Sequence, residues 1–487
     1  MKNYKKIYAA FILAGGLILH GCNGIFDDLS INPNQPSMGA YFTSPSAVND
    51  AVMTMYGYMS TQRCLGASGS KTTIIRSDEA SSNSDYGKPG MFGADLNASY
   101  YTIEQPYTLM YTTASQASYI IETAPSVDFS GNEELRNAYM GEAYFWRAFA
   151  HYYLLINFRN ISPIRQMPRN GDDYVRPLEK PAAVWNFIQE DLAHAKELLP
   201  VKGYWDSKNA GRVTKASAAA LLGKAYLYRS GIEQYYGEDK TTFYSEAAKE
   251  FGDVIDGKYG TYDLTKNYAD NFDVAHENNE ESILEFQFLG DVDNAGFNPG
   301  LATSGLAFDS RGLMLPGAGV GYEGVVHNWL YNAFVNSIDK DGYTDIRMFS
   351  TMIFNDLDAS IHLRNDAGGN PVRLEGPGGY KWEELYPAKN GKEGFATVSN
   401  PLAHSFKAGI RKGIDCSMPT QTEADGTPKL VGVGAGVKEY VYNQPRAHGV
   451  NWRYIRYADV LMMYAEAVVS GGTQASNMTP LQAVNKV

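Results

Sequence analysis

The sequence predicts an all-α fold, with helix pairs forming a scaffold and a large irregular, loop-rich half beside it in sequence. Three observations predict it. Apolar residues recur at three- and four-residue spacing through a succession of segments, and period-two alternation is nearly absent. Between residues 257 and 440, Gly, Asn, Asp and Pro take over, which is the composition of long irregular segments that are packed locally or functional.

The elements follow in order. A first helix is expected over 44–60, where Ser44 caps, Pro45 takes the first turn, and Val48, Val52, Met55 and Met59 fall on one face. Two more cover 101–124 and 133–157. In the second of these, Leu135, Tyr139, Ala143, Trp146, Ala150, Tyr153 and Leu154 form a face broad enough for a helix packed on several sides. The segment 181–199 carries Val184, Phe187, Ile188, Leu192, Ala195 and Leu199 and stops at Pro200. The segment 214–228 is rich in Ala and Leu, with Gly231 expected to end it; 244–255 turns Ala247, Ala248, Phe251 and Ile255 inward. Within the irregular half, 282–288 reads as a strand and 327–337 as a helix. A helix over 454–469 and the start of another after Thr479-Pro480 complete the chain, which is expected to continue past Val487. Small residues where helices cross, followed by tyrosine, resemble tetratricopeptide stacking; by pattern alone the units are helix hairpins, since no fixed period aligns them.

The N-terminus carries an address. Lys2, Lys5 and Lys6 precede the mostly apolar run 7–19, too short for the roughly 20 residues of a membrane span. Leu19-His20-Gly21-Cys22 resembles a bacterial lipobox, with Cys22 as the acylated residue and His20 departing from the usual small residue. An ordinary signal peptide with an incidental cysteine is the alternative. Asp27 and Asp28 behind it resemble a signal that sends lipoproteins to the cell surface.

Composition sets further bounds. The formal charge of −12 becomes −15 without the three lysines of the export segment, which argues against nucleic acid or anionic membrane as partner. Cys64 and Cys416 remain after lipidation, and whether they pair stays open. Tyrosine leads the aromatics with 35 residues, and its apolar face and polar tip suit half-wet surfaces as well as helix packing.

Several separated blocks carry a family resemblance. They are Asn32-Pro33-Asn34, Gly141-Glu142-Ala143-Tyr144-Phe145-Trp146-Arg147-Ala148 with Tyr152-Tyr153-Leu154, and Gly211-Arg212-Val213-Thr214-Lys215 followed by Lys224 and Tyr226-Leu227-Tyr228. Asn279-Glu280 with Ser282-Ile283 and Glu285-Phe286, Asp345-Ile346-Arg347, and Arg456-Tyr457-Ala458-Asp459-Val460-Leu461 with Tyr464-Ala465-Glu466-Ala467 complete the set. On these residues the chain resembles the SusD/RagB family of outer-membrane lipoproteins. The resemblance implies a SusD-like α-superhelical scaffold of tetratricopeptide-like pairs, and capture of a glycan at the cell surface. It also implies delivery to a SusC-like TonB-dependent transporter and attachment to the outer membrane through the lipid; some members take peptides instead. The expected organisation is a signal peptide over 1–21, a lipid tether over 22–40 and a single domain over 41–487. Within that domain the scaffold covers about 41–256 and 441–487 and the loop-rich region about 257–440. Glu142, Arg147, Arg212, Lys215, Arg456 and Asp459 lie on otherwise apolar helices and are read as ion pairs that hold helix pairs together.

No catalytic, metal or cofactor motif stands up, so a binder rather than an enzyme is expected. The glycine string 319–324 follows no strand. His276 lacks the second histidine of a zinc helix, and Asp339-Lys340-Asp341-Gly342 with Asp345 lacks a full calcium set and reads as a turn. A glycan face needs flat rings with amide or charged groups beside them. The resemblance places that face in loops matching 76–101 and 297–323. Residue type then selects Arg76, Asp78, Asn83, Tyr86 and Phe92 in the first, and Phe297, Phe308 and Tyr322 in the second. Trp146, Trp185 and Trp329 fall in helix patterns and are assigned to packing, and Trp382 is an outside candidate. Two or three rings at ~1.5 kcal/mol each, with hydrogen bonds of about 1 kcal/mol, imply micromolar to millimolar binding once association costs are met.

Overall fold

The computed structural model describes residues 42–61, 63–66, 73, 76–81, 97–168, 175–237, 240–288, 325–354, 360–365, 369, 408–410, 424, 430–432, 438–440 and 450–487. Cys22 and the stretches expected to be export segment and tether lie outside them. Helices dominate. In chain order they are α1 (Pro45–Ser60), α2 (Tyr101–Thr123), α3 (Glu133–Phe158), α4 (Pro181–Leu198), α5 (Lys215–Tyr236) and α6 (Tyr244–Ile255). After these come α7 (Asn328–Asn336), α8 (Arg347–Thr351), α9 (Tyr457–Val469) and α10 (Pro480–Lys486). Each of α2 to α6 packs chiefly on its neighbour in sequence, and α6 then packs on α9 and α9 on α10. This sequential stacking of helices is the all-α scaffold that the pattern predicts, in the tetratricopeptide-like arrangement that the resemblance implies.

Local chemistry sets the helix ends. Ser44 accepts a hydrogen bond from the Ala47 N–H at 3.3 Å, and Asn132 accepts one from Leu135 at 3.1 Å, so each cap satisfies an otherwise unpaired helical donor. Along α3, nearly every residue from Ala138 to Leu155 is buried, which explains its wide apolar face. Where helices cross, the small residues are required: a Cβ at Gly223 would stand 2.7 Å from the Phe251 ring, and one at Gly141 would stand 2.9 Å from Leu199.

Two boundaries differ from expectation. Helix α5 runs through Gly231 to Tyr236 and ends at Gly237, whose φ of +69° makes the left-handed cap. A glycine inside a helix costs only about 1 kcal/mol against alanine, which the buried Glu233 in the next turn, bonded to Trp185 and Arg159, offsets. Residues 454–456, expected to open a helix, instead belong to strand β8 (Trp452–Arg456). It pairs antiparallel with β2 (Ser282–Phe286), with Glu285 opposite Arg453 and Phe286 opposite Trp452. Only then does α9 start, with the Arg456 N–H bonded to Asp459 Oδ2 at 2.8 Å. The alternation of buried Arg453 and Ile455 with half-buried Trp452 and Tyr454 is the period-two signal of that strand.

The charged residues expected on apolar helices are paired, with one exception, although Arg212 stands in the segment before α5 and Arg456 ends β8. Arg212 meets Glu142 through two nitrogens, Arg147 meets Asp191 likewise, and Arg456 reaches Glu281 at 3.1 Å and Asp459 at 3.5 Å. Lys215 makes no ion pair among the described residues. Its ammonium donates to the Lys196 and Glu197 carbonyls at 3.1 and 2.7 Å and so closes the C-terminal end of α4.

His151 is fully buried between two backbone groups. Its Nε2 accepts from the Ile164 N–H at 2.9 Å, which leaves the proton on Nδ1, bonded to the Arg147 carbonyl at 2.7 Å. Burial, aided by the charges of Arg147, Arg165 and Arg176, pulls the imidazole down to about 3. The unfolded chain therefore takes up a proton that the folded one refuses. The His151 contribution is complete above about pH 6.5 and is lost by about 1.4 kcal/mol per unit as pH falls from there toward 3. Urea unfolding at pH 7, 6 and 5 should show a steeper acid loss for the wild type than for His151→Gln; parallel losses would exclude this role.

Candidate functional site

The two loop segments expected to carry the ligand face spring from one root. Strand β1 (Ala80–Ser81) pairs antiparallel with β3 (Val325–Val326), with Ala80 opposite Val326 and Ser81 opposite Val325. The chain leaving Ser81 thus starts beside the chain arriving at Val325, although 244 positions separate them. Ala80 and Val326 are buried and anchor the pair. On its other edge β3 pairs with β5 (Ala408–Ile410), which pairs in turn with β4 (Met352–Phe354), giving a four-stranded sheet, while β6 (Leu430–Gly432) and β7 (Lys438–Tyr440) form a separate antiparallel pair. The His327 N–H donates to the Glu79 carbonyl at 2.9 Å and extends the β1–β3 contact by one step.

At this root the structure brings together Asp78 and a residue the sequence assigned to packing, while Arg76, two positions earlier, borders a separate cavity on the helices. Trp329 is 49% exposed, and its indole N–H donates to the Asp78 carbonyl at 2.6 Å. The inward face of α7 belongs to Leu330, Tyr331, Phe334 and Val335, which pack on the core. Trp329 stands off that face, and the three- and four-residue spacing of those neighbours was the signal that could have revealed it. Its ring is held at one edge by a hydrogen bond and open to solvent over about half its surface, the arrangement that stacking on a ligand requires. The Asp78 side chain is exposed, and Arg76 has no hydrogen bond or ion pair among the described residues. Asn83, Tyr86, Phe92, Phe297, Phe308, Tyr322 and Trp382 lie outside the described residues.

The remaining tryptophans are structural. Trp146 and Trp185 are fully buried, Trp205 lies 4.2 Å from the Arg212 guanidinium carbon, and Trp452 sits in β8. Asp339 accepts from the Asp341 and Tyr343 N–H groups at 2.9 and 3.0 Å and pairs with Arg364, so this segment is the expected turn. Among the described residues no three His, Cys, Asp or Glu side chains gather as metal ligands. Cys64 is buried, and burial pushes its thiol up to about 12, where it stays protonated; Cys416 lies outside the described residues.

Two family models match the chain. One, described as starch-binding associating with outer membrane, matches residues 28–227, and the other, described as the SusD family, matches 420–487, so that together they span more than half of it. The chain belongs to the SusD/RagB family.

This SusD-family chain is 25% identical over 293 residues to a SusD-like protein of Bacteroides ovatus, covering 59% of this chain and 51% of that protein. The chain spans about half the length of the curated relatives it matches. Among solved structures, a SusD superfamily protein from Bacteroides vulgatus superposes with a TM-score of 0.62 at 20% identity, covering 92% of this chain and 79% of that one. A laminarin-binding SusD-like protein does so with a TM-score of 0.59 at 20% identity, covering 91% and 84%. These likenesses share the helical scaffold. No helix among the described residues is long and apolar enough to cross a membrane.

Proposed function

We propose that this chain is a lipid-anchored, cell-surface glycan-binding protein that captures an oligosaccharide or polysaccharide and hands it to a SusC-like TonB-dependent transporter of the outer membrane. The observation that carries the reading is the β1–β3 pair, which roots both candidate loops beside the half-exposed ring of Trp329. The family described as starch-binding and associated with the outer membrane supports it, as does the laminarin-binding protein of the same fold. Anchoring at Cys22 would hold the face at the membrane without a spanning helix. The reading assigns the chain capture and transfer, with no chemical step.

Capture suits the forces available. The open part of Trp329, roughly 100 Å² of the 150–250 Å² an aromatic side chain can bury, is worth ~2.5 kcal/mol at about 25 cal/mol/Å². Part of that is spent on association, so one ring gives weak, releasable binding. Affinity electrophoresis of residues 23–487 through gels loaded with separate polysaccharides tests the reading. Retardation by at least one glycan is expected, with Trp329→Ala raising the apparent Kd about tenfold or more and leaving the unfolding midpoint nearly unchanged. No retardation in any gel would overturn glycan capture and turn attention to peptides. Unaltered binding by Trp329→Ala would remove the junction from the site.

A further inference from the structure

A second concave surface lies on the helical scaffold, where the C-terminal ends of α3 and α5 meet. It encloses about 540 Å³, within the roughly 300–1,000 Å³ typical of small-molecule sites. Its base is apolar, formed by Leu155, Leu227 and the edge of Trp185. The last two turns of α5, which the sequence pattern had ended at Gly231, supply its rim.

That rim is aromatic and wet. Tyr228, Tyr235 and Tyr236 border the cavity and are 39%, 85% and 56% exposed, an unusual display for three rings within nine residues of one helix. The rings are positioned from behind. Glu233, only 1% exposed, accepts from the Trp185 indole at 2.8 Å and from the Arg159 guanidinium at 3.1 and 2.8 Å. Arg159 holds a left-handed backbone, φ +58°, and lays its guanidinium 3.9 Å from the centre of the Tyr236 ring. One face of Tyr236 is thereby covered, and Tyr235 stands edge-on to it at 5.2 Å between centroids. Rings fixed in this way lose little freedom on meeting a ligand.

The charges around the cavity select the ligand. Arg159 is neutralised by Glu233. On the remaining wall, Arg76 offers donors and Glu466 offers acceptors, and neither has an ion-pair partner among the described residues. Lys224 lies 5.4 Å from the centre of the Tyr228 ring and adds a cation behind it. An anionic ligand would meet Glu466 and a chain of net charge −12; a cationic one would meet Arg76. A neutral polyol uses both groups, with Arg76 donating to its hydroxyl oxygens and Glu466 accepting its hydroxyl protons, while its C–H faces lie on the tyrosines.

We infer that this cavity is a second saccharide subsite, selective for uncharged sugar residues and built by Tyr228, Tyr235, Tyr236, Arg76 and Glu466. Arg76 stands on the segment leading into β1, so the subsite adjoins the loop junction, and one polysaccharide chain can engage both. The inference rests on the glycan-capture reading and names the class of glycan it takes.

The test uses the full chain in gels containing laminarin, soluble starch or xyloglucan as neutral probes and pectin or chondroitin sulfate as acidic ones. Wild type should be retarded by a neutral polymer. Tyr235→Ala alone should raise the apparent Kd several-fold, and Tyr235→Ala with Tyr236→Ala about tenfold or more, at unchanged unfolding midpoint. The pair should multiply the effect of Trp329→Ala rather than repeat it. Neutral binding that both tyrosine variants leave intact would overturn the subsite while glycan capture stands. Retardation by acidic polymers alone would overturn the neutral selectivity, and no retardation by any polymer would overturn both readings.

Discussion

Glu142→Ala should lower the unfolding free energy by about 3–5 kcal/mol at pH 7, a large share of the 5–15 kcal/mol that holds a typical domain. The carboxylate is fully buried and holds three elements at once. Its Oε1 accepts from Arg212 Nε at 2.9 Å and from the Tyr56 hydroxyl at 2.6 Å, and its Oε2 accepts from Arg212 Nη2 at 2.5 Å. Tyr56 is in turn bonded by the Val213 N–H at 2.9 Å, so α1, α3 and the segment before α5 meet on one charge. Burial pushes the Glu142 carboxyl up, and the Arg212 fork and the Tyr56 hydroxyl oppose it. Without Glu142, the Arg212 guanidinium keeps Asn49 at 2.8 Å and the ring of Trp205 but has no buried counter-charge. The penalty comes from that orphaned cation, not from the pair's own net worth. Glu142→Leu combined with Arg212→Met should accordingly recover most of the loss. Urea unfolding of the three proteins measures this, and a loss below 1 kcal/mol for the single variant would show that water reaches the site.

Arg147→Met should cost a similar 3–5 kcal/mol at pH 7, with a pH dependence opposite to that of His151. Arg147 donates to both Asp191 oxygens at 2.7 Å, to Ser118 Oγ at 3.2 Å and to the Arg165 carbonyl at 2.8 Å, joining α3 to α4, α2 and the segment after α3. Burial raises the Asp191 carboxyl and Arg147 opposes the rise. In the variant the opposition is gone, so the folded-state pKa climbs further above the ordinary value of about 3.9. A group raised in this way favours the folded state in acid and withdraws that support as pH increases. The deficit of Arg147→Met against wild type should therefore be smaller at pH 5 than at pH 7. A deficit independent of pH would show that Asp191 finds another partner.

Both pairs illustrate what could be read beforehand. That Glu142, Arg147, Arg212 and Arg456 need partners follows from the apolar residues around them in sequence, since an unpaired buried charge is too costly to keep. Which partners they take does not follow. Asp191 and Glu281 carried no signal of their own, and Lys215 solved the same problem with the carbonyls at the end of α4. The site divides in the same way. Arg76 and Asp78 were legible as exposed polar residues at the edge of a loop. Trp329 was not, because an aromatic residue in a helical pattern reads as core until the inward face is known. Tyr235 and Tyr236 were lost with the misplaced end of α5.

The sequence by itself determined the helices, their caps and the small residues at their crossings. Helical hydrogen bonds close within four residues and side chains return every 3.6, so the controlling interactions lie inside a short window of chain. Only the tertiary structure decided that Ala80–Ser81 lies beside Val325–Val326, that Trp452–Arg456 is a strand beside Ser282–Phe286, and that Arg76 and the tyrosines of α5 line one cavity. Those contacts join residues more than 150 positions apart, and their energy depends on surfaces that exist only once the helices have packed.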